Sequence, residues 1–204
     1  MKKILVINPK GGCGKTTIAT NLASYYALWG VPVALIDYDP QKSSLEWLDN
    51  RTSDLGAIAG VDGSRGRIGI DKSMRRVVLD APARCSNQQL QKLFKLADVA
   101  LIPVLPSPID IRATRHFVSE LASEKILQHA RIGLVGNRVR ENTLIYSNLQ
   151  SFLKNLDIPL ISSLRDTQNY IRAAEGGFGV FELPPYQAEK DIEQWRPLIN
   201  WIEG

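Results

Sequence analysis

A glycine-rich segment near the start of the chain constrains its fold more than any other feature. The segment Lys10–Thr17, with the sequence KGGCGKTT, follows the apolar run Ile4–Ile7 and precedes a stretch with helical periodicity. A strand, a glycine-rich turn and a helix in this order place backbone N–H groups and the positive end of the helix around phosphate. A turn that only joined a strand to a helix would need neither Lys15 nor two threonines. The segment therefore predicts a phosphate-binding loop.

Short apolar runs recur along the chain, and each is followed by a segment long enough to form a helix. Strands without polar alternation are buried on both faces, which is typical of a parallel sheet with helices on each side. We therefore expect an α/β fold with one doubly wound, mostly parallel sheet. The predicted strands are Ile4–Ile7, Val33–Ile36, Val77–Leu79, Val99–Val104, Ile132–Val135 and Ile158–Ile161.

Helical periodicity places the predicted helices between these strands. In the first helix, apolar residues recur every three or four positions and Gly30 ends the pattern. Residues 51–75 are rich in glycine and charged residues. We interpret them as a loop, either alone or with one extra strand. The predicted helices are Thr16–Trp29, Ser43–Asp49, Asn87–Leu96, Ile111–Lys125, Thr143–Leu156, Gln168–Glu175 and Ala188–Ile202.

Length and composition narrow the class of protein. A chain of 204 residues is long enough for one hydrophobic core, and we expect a single domain over residues 1–204. Hydrophobic residues make up 44% and charged residues 23%, which is typical of a soluble globular protein. The sequence has no apolar run long enough for a transmembrane span or a signal peptide, so we expect a cytoplasmic protein. Two cysteines, Cys13 and Cys85, are too few for a disulfide framework.

The residues of the glycine-rich segment divide the work of holding a nucleotide. Backbone N–H groups converge on phosphate oxygens, Lys15 reaches the terminal phosphates, and the Thr16 hydroxyl holds magnesium. The residues predicted to bind the nucleotide through this loop are Gly11, Gly12, Cys13, Gly14, Lys15, Thr16 and Thr17.

Acidic residues follow the second and third predicted strands. Asp37 and Asp39 lie at the carboxyl end of the second strand, where side chains of a parallel sheet point into the ligand crevice. Asp80 ends the third strand in a hydrophobic run followed by aspartate, the Walker B pattern. Together with Thr16, Asp80 predicts a magnesium site beside the phosphates. A buried strand end with one capping aspartate is the simpler alternative for the first pair.

The motifs together resemble those of a known family. Lys10 before the double glycine gives the deviant Walker A pattern KGGxGKT[ST], and Asp37–Gln41 matches the family element DxDPQ. Over nearly its whole length the chain resembles the ParA/MinD family of partitioning and positioning ATPases. Its segment Asn8-Pro9-Lys10 and its short length look most like those of small ParA proteins without an N-terminal DNA-binding domain. The resemblance implies a P-loop NTPase fold, ATP and Mg²⁺ as cofactors, ATP hydrolysis, and a homodimer that forms with ATP.

The resemblance also implies roles for individual residues. In the family, the lysine matched by Lys10 crosses to the nucleotide of the partner subunit, as an arginine finger does. Asp39 is expected to position the attacking water, Asp37 to support the magnesium shell, and Asp80 to meet magnesium through a water. The predicted catalytic residues are therefore Lys10, Lys15 and Asp39, and the predicted metal residues are Thr16, Asp37, Asp39 and Asp80.

The resemblance continues in the second half of the chain. Asn137 matches a family asparagine that hydrogen-bonds the adenine, a role suited to an amide that both donates and accepts. Arg165 and Asp166 stand where relatives carry residues beside the base, although Leu164 replaces a family proline. These three polar residues complete the predicted nucleotide site.

Basic residues outnumber acidic ones in the later segments, and the whole chain carries a net charge of +4. Such an excess permits DNA binding without requiring it, and a solvated charged surface is the simpler alternative. Arg172 occupies a position that some relatives use for non-specific DNA contact, and Arg138 and Arg140 are the next candidates. The predicted partner is therefore double-stranded DNA, bound through its backbone without sequence preference.

These expectations define one leading function and two alternatives. The leading function is a nucleoid-associated ATPase that positions or segregates a cargo, such as a plasmid, a chromosome region or a carboxysome, and that a cargo-adaptor protein stimulates. One alternative is a MinD-like membrane-associated regulator. The acidic polar face of the last predicted helix argues against this, because anionic lipid repels it. The other is an ATP-dependent ligase of the dethiobiotin synthetase type, against which the DxDPQ element argues.

Overall fold

A parallel β-sheet forms the centre of the computed structural model, which describes residues 1–66, 68–140, 143 and 158–204. Within these residues the sheet has seven strands in the order β3-β2-β4-β1-β5-β6-β7, and every neighbouring pair is parallel. The strands are β1 (Lys2–Val6), β2 (Val33–Asp37), β3 (Ile58–Asp62), β4 (Arg76–Asp80), β5 (Val99–Val104), β6 (Arg131–Val139) and β7 (Leu160–Arg165).

Helices connect the strands and cover both faces of the sheet. The predicted helix Thr143–Leu156 lies outside the described residues, apart from residue 143. The described α-helices are α1 (Lys15–Leu28), α2 (Ser43–Asp49), α3 (Asn87–Leu96), α4 (Pro108–Ser123), α5 (Asn169–Glu175) and α6 (Pro185–Glu203).

Alternate residues of the strands enter two separate hydrophobic cores. In β1, Ile4 and Val6 pack with α1 and α6, whereas Leu5 packs with α3 and α4 on the opposite face. A strand whose successive side chains point to opposite faces needs apolar residues at both, so the apolar runs contain no polar alternation. The predicted doubly wound, parallel α/β fold is confirmed.

The region between α2 and β4 contains a strand, which answers the question that the sequence left open for residues 51–75. Ile58–Asp62 forms β3, which pairs in parallel with β2 at one edge of the sheet. Its short apolar run includes Ala59 and Gly60, both exposed. A strand with one exposed edge and small residues carries a weak sequence signal.

The last helix closes one of the two cores. In α6, Trp195, Leu198 and Ile202 are completely buried, and the helix packs against β7. This helix therefore contributes large buried side chains to the core on its face of the sheet. No helix among the described residues is long and apolar enough to cross a membrane.

Candidate functional site

The loop between β1 and α1 is anchored by a residue to which the sequence had given no role. Asn8 is almost completely buried, and its Nδ2 donates a 2.7 Å hydrogen bond to the carbonyl oxygen of Pro103, at the end of β5. Its Oδ1 accepts a 2.9 Å hydrogen bond from the N–H of Lys10. An asparagine directly after a buried strand was the available signal, because its side chain commonly bonds the backbone two residues on. Asn8 thus fixes the start of the loop.

The far side of the loop is fixed by β6. Asn137 Nδ2 donates a 2.8 Å hydrogen bond to the carbonyl oxygen of Cys13. Gly14 has φ +95°, and a Cβ atom on it would lie 2.0 Å from Asn137 Nδ2. Only glycine therefore fits at this position, both for backbone conformation and for space. The structure brings Asn137 to the phosphate loop, and its hydrogen bond to adenine stays a prediction.

Two lysines of the loop occupy different environments. Lys15 is 7% exposed, and its Nζ donates a 3.3 Å hydrogen bond to the carbonyl oxygen of Lys10. The Lys10 side chain is exposed and has no hydrogen-bond or ion-pair partner among the described residues. Lys15 therefore directs its charge into the loop of its own chain, whereas Lys10 presents its charge to the outside.

The remaining loop residues surround these lysines. Gly11 and Gly12 are exposed at the crest of the loop, and Cys13 is buried beneath it. The thiol of Cys13 donates to the carbonyl oxygen of Lys10 at 3.2 Å, and burial raises the pKa of this thiol. Thr17 lines a small cleft of about 260 Å³ between α1 and α2. Cys13 is therefore a packed, unreactive support for the loop.

Thr16 and Asp80 meet at the predicted magnesium site. The Thr16 hydroxyl donates a 2.8 Å hydrogen bond to Asp80 Oδ2, while Oδ1 of Asp80 is buried without a partner among the described residues. Burial raises the pKa of Asp80 to about 7; the Thr16 hydrogen bond and Lys15 oppose this shift, and Asp37 adds to it. A buried carboxylate oxygen with no donor beside a hydroxyl fits a divalent cation with oxygen ligands, and these residues fit Mg²⁺.

The other two acids have different surroundings. Asp37 is completely buried, and its carboxylate accepts hydrogen bonds from the N–H of Asp39 at 2.8 Å and from the Ser44 hydroxyl and N–H at 2.7 and 3.0 Å. Asp37 thus holds the start of α2, and its support of magnesium stays a prediction. Asp39 is half-buried and accepts one hydrogen bond, from the N–H of Gln41, through Oδ1.

The two residues predicted beside the base have partners elsewhere. Arg165, at the end of β7, forms an ion pair with the buried Asp191 of α6 at 2.5 Å. Asp191 also accepts a 2.6 Å hydrogen bond from Asn169. Asp166 pairs with Arg140 at 2.8 Å. Of the residues predicted near the base, the structure thus joins only Asn137 to the loop, and base contacts by Arg165 and Asp166 stay predictions.

The three arginines predicted to bind DNA are all exposed, but they are not equally available. Arg172 lies in the last turn of α5, and Arg138 follows Asn137 on β6 with φ +50°. Neither has an ion-pair partner within the described part of the chain, whereas Arg140 pairs with Asp166. Arg172 and Arg138 are therefore the better candidates for contacts with an anionic partner.

Comparisons with known proteins show which proteins this chain is similar to. The chain is 30% identical over 188 residues to the maintenance of carboxysome distribution protein A of Halothiobacillus neapolitanus, which covers 88% of this chain and 87% of that protein. It is 23% identical over 249 residues to the septum site-determining protein MinD of Neisseria meningitidis. This match covers 94% of this chain and 90% of that protein.

Solved structures share the fold at low sequence identity. An ATP complex of a Cyanothece McdA variant matches with a TM-score of 0.71 and 19% identity, covering 97% of this chain and 96% of that chain. The MinD cell division protein of Aquifex aeolicus matches with a TM-score of 0.73 and 19% identity, covering 98% of this chain and 97% of that chain. The family described as the CobQ/CobB/MinD/ParA nucleotide binding domain matches residues 4–178. Most of the chain lies within this match, and the chain belongs to that family.

Proposed function

We propose that this chain is an ATPase that forms a homodimer on ATP, binds nucleoid DNA without sequence preference and positions a cargo. Hydrolysis, stimulated by an adaptor protein on the cargo, releases the dimer from DNA. The observation that supports this best is the division between the two loop lysines. Lys15 is buried in its own loop, and the exposed Lys10 can reach a nucleotide held by a second subunit.

The residues of the site have separate tasks in the proposed reaction. Loop N–H groups and Lys15 bind the phosphates, and Thr16 and Asp80 would hold Mg²⁺, which neutralises phosphate charge when bound. Asp39 uses Oδ1 to accept from Gln41, which leaves Oδ2 to orient the attacking water. Lys10 of the second subunit supplies a cation to the oxygens on which charge develops during phosphoryl transfer.

The relatives support a positioning role rather than another ATP-dependent function. A relative that is 30% identical over 88% of the chain is named for carboxysome distribution, and other relatives are named chromosome-partitioning ATPases and ParA. We therefore favour a protein-shelled organelle as the cargo, with a plasmid or a chromosome region as the other possibility. In the proposed dimer, two copies of Arg172 and Arg138 double the phosphate contacts with DNA, which places the protein on the nucleoid.

Light scattering with and without nucleotide tests this proposal. We expect a monomer with ADP and a dimer with the slowly hydrolysed analogue AMPPNP and Mg²⁺. Lys15→Ala should lose nucleotide binding, because the phosphates lose their cation, whereas Lys10→Ala should still bind nucleotide. One unchanged mass in every nucleotide state would overturn the proposal.

A further inference from the structure

An open groove lies at the edge of the sheet, between α2 and β3. It has a volume of about 1100 Å³, and its lining runs from Pro40 and Gln41 through α2 to Gly56, Ala57, Ile58 and Gly60. Two lining residues on the strand side, Ala57 and Gly60, are small and exposed, and α2 lies over Gly60, where a Cβ atom would come within 2.8 Å of Leu48 Cδ1. The groove belongs to neither the nucleotide site nor the predicted DNA surface.

The strand that lines the groove, β3, lies at the edge of the sheet. β3 pairs with β2 on one side, and no strand in the described part of the chain pairs with its other side. In such an edge strand, every second residue directs its N–H and C=O groups outward. An extended polypeptide can therefore pair with β3 and add a strand to the sheet.

The charges of the groove favour one kind of polypeptide. Each of its two basic residues has an acidic partner: Lys42 pairs at 2.8 Å with Asp62, which also pairs with Arg65 at 2.9 Å, and Arg51 pairs with the buried Glu182 at 2.5 Å. Its two acidic residues, Glu46 and Asp49, are exposed and have no ion-pair partner among the described residues. The charges left uncompensated in the groove are therefore both negative, which complements a basic ligand.

The groove also reaches the residue predicted to position water. Pro40 and Gln41 line it, and the N–H of Gln41 donates to Asp39 Oδ1 at 3.0 Å. The groove therefore borders the turn that holds Asp39, and Glu46 lines both the groove and the cleft beside the phosphate loop that contains Thr16 and Thr17.

We infer that the α2–β3 groove binds an extended, basic segment of a partner protein, which adds a strand to the free edge of β3. Lysine or arginine side chains of the segment meet Glu46 and Asp49, and its backbone pairs with β3. The effect of this binding on hydrolysis, through Gln41 and Asp39, rests on the proposed function. The binding of the segment to the groove is independent of the proposed function.

A model peptide tests the binding. The probe is a fluorescent peptide of alternating lysine and valine, about nine residues long so that it spans the strand, titrated against the full chain without nucleotide. Asp49→Lys should weaken binding by about tenfold, because it replaces attraction by repulsion. Glu124→Lys, a charge reversal at an exposed position directly after α4, should leave binding unchanged. Equal binding of the matching glutamate and valine peptide, or no effect of Asp49→Lys, would overturn the inference.

Hydrogen exchange tests the mode of binding. Strand addition should slow exchange of alternate N–H groups in Ile58–Asp62, and a peptide N-methylated at alternate residues should bind poorly. Binding without protection of these groups would contradict strand addition.

The groove inference and the proposed function can fail independently of each other. Peptide binding by a protein that shows no ATP-dependent dimer leaves this inference standing and removes the proposed function. An ATP-dependent dimer that binds no peptide would remove this inference and leave the proposed function standing.

Discussion

Asp37 and Asp80 are register partners at the ends of the neighbouring parallel strands β2 and β4, yet their carboxylates have opposite surroundings. Asp37 accepts hydrogen bonds at both oxygens, from Asp39 and Ser44, whereas Oδ1 of Asp80 has no partner among the described residues. Two acids that look equivalent in the sequence are therefore separated by the structure into one that holds α2 and one that is open to a cation.

Replacement of each acid by its amide should separate these roles. Asp80→Asn should lower the affinity for ATP in the presence of Mg²⁺ by about tenfold or more and change it little without Mg²⁺, because a charged metal ligand is lost. Asp37→Asn should instead lower the free energy of unfolding by about 1–3 kcal/mol, because buried hydrogen bonds to α2 are lost. Calorimetric titration with ATP and denaturant unfolding measure the two effects. Equal losses of Mg²⁺-dependent affinity in both variants would contradict the assignment.

The end of α6 should give the protein an acid-sensitive contribution to stability. Partial burial disfavours the charge on Glu203, but hydrogen bonds from Arg76 and Tyr26 outweigh it and lower its pKa below the ordinary value of 4.5. Because the folded pKa is below the unfolded one, this stabilisation is present above about pH 4.5 and is lost as the pH falls through the folded pKa.

Denaturant unfolding between neutral and acid pH checks this expectation. Glu203→Gln should lower the free energy of unfolding at neutral pH, and its difference from the parent should shrink as the pH falls below the ordinary glutamate value. As a control, Glu124→Gln should match the parent throughout, since Glu124 is exposed and has no ion-pair partner among the described residues. If the difference in free energy of unfolding between Glu203→Gln and the parent grew as the pH fell, the lowered pKa of Glu203 would be contradicted.

DNA retention should depend on Arg172 and on nucleotide state. With AMPPNP, the parent should bind random double-stranded DNA and lose it as salt rises, and Arg172→Glu should weaken this binding severalfold and lower the salt slope. Lys92→Glu is the matched control, because Lys92 is exposed on α3 at the opposite face of the sheet. Nucleotide-dependent recruitment to anionic liposomes, with no retention on DNA, would instead favour the membrane-associated alternative.

The sequence predicted the sheet well because its strands are continuous apolar runs, and the phosphate loop because glycine spacing reflects local backbone geometry. Strand ends were harder to place. β6 extends to Val139 and β7 to Arg165, beyond the apolar runs, because polar residues at the carboxyl edge of the sheet still pair through their backbones. β3 could not be assigned with certainty, since an edge strand with Ala59 and Gly60 has little apolar signal.

The choice of partners by polar side chains could not be predicted from motifs. Asn8 reaches Pro103 and Arg165 reaches Asp191, contacts that join distant parts of the chain. The strand-end positions of Asp37 and Asp80 followed from the sequence, but the capture of Asp37 by Ser44 depends on how α2 packs. Motifs thus indicated which residues gather near the phosphates, and packing decides which of them keep a free oxygen or ammonium group.

Two inactive variants, mixed in one sample, test the central claim that Lys10 acts on the nucleotide of the partner subunit. Asp39→Ala should bind ATP and Mg²⁺ yet lose turnover by a factor of about 10²–10⁴, because water is no longer positioned. Lys10→Ala should also be nearly inactive. A mixed dimer, however, has one site with an intact Asp39 that receives Lys10 from the other subunit.

The measurement is ATP hydrolysis by an equal mixture of Lys10→Ala and Asp39→Ala chains, compared with each variant alone. If half of the dimers are mixed and each has one working site of two, the mixture should regain about a quarter of the parental rate. A mixture no more active than the separate variants would show that Lys10 acts within its own chain and would contradict the account.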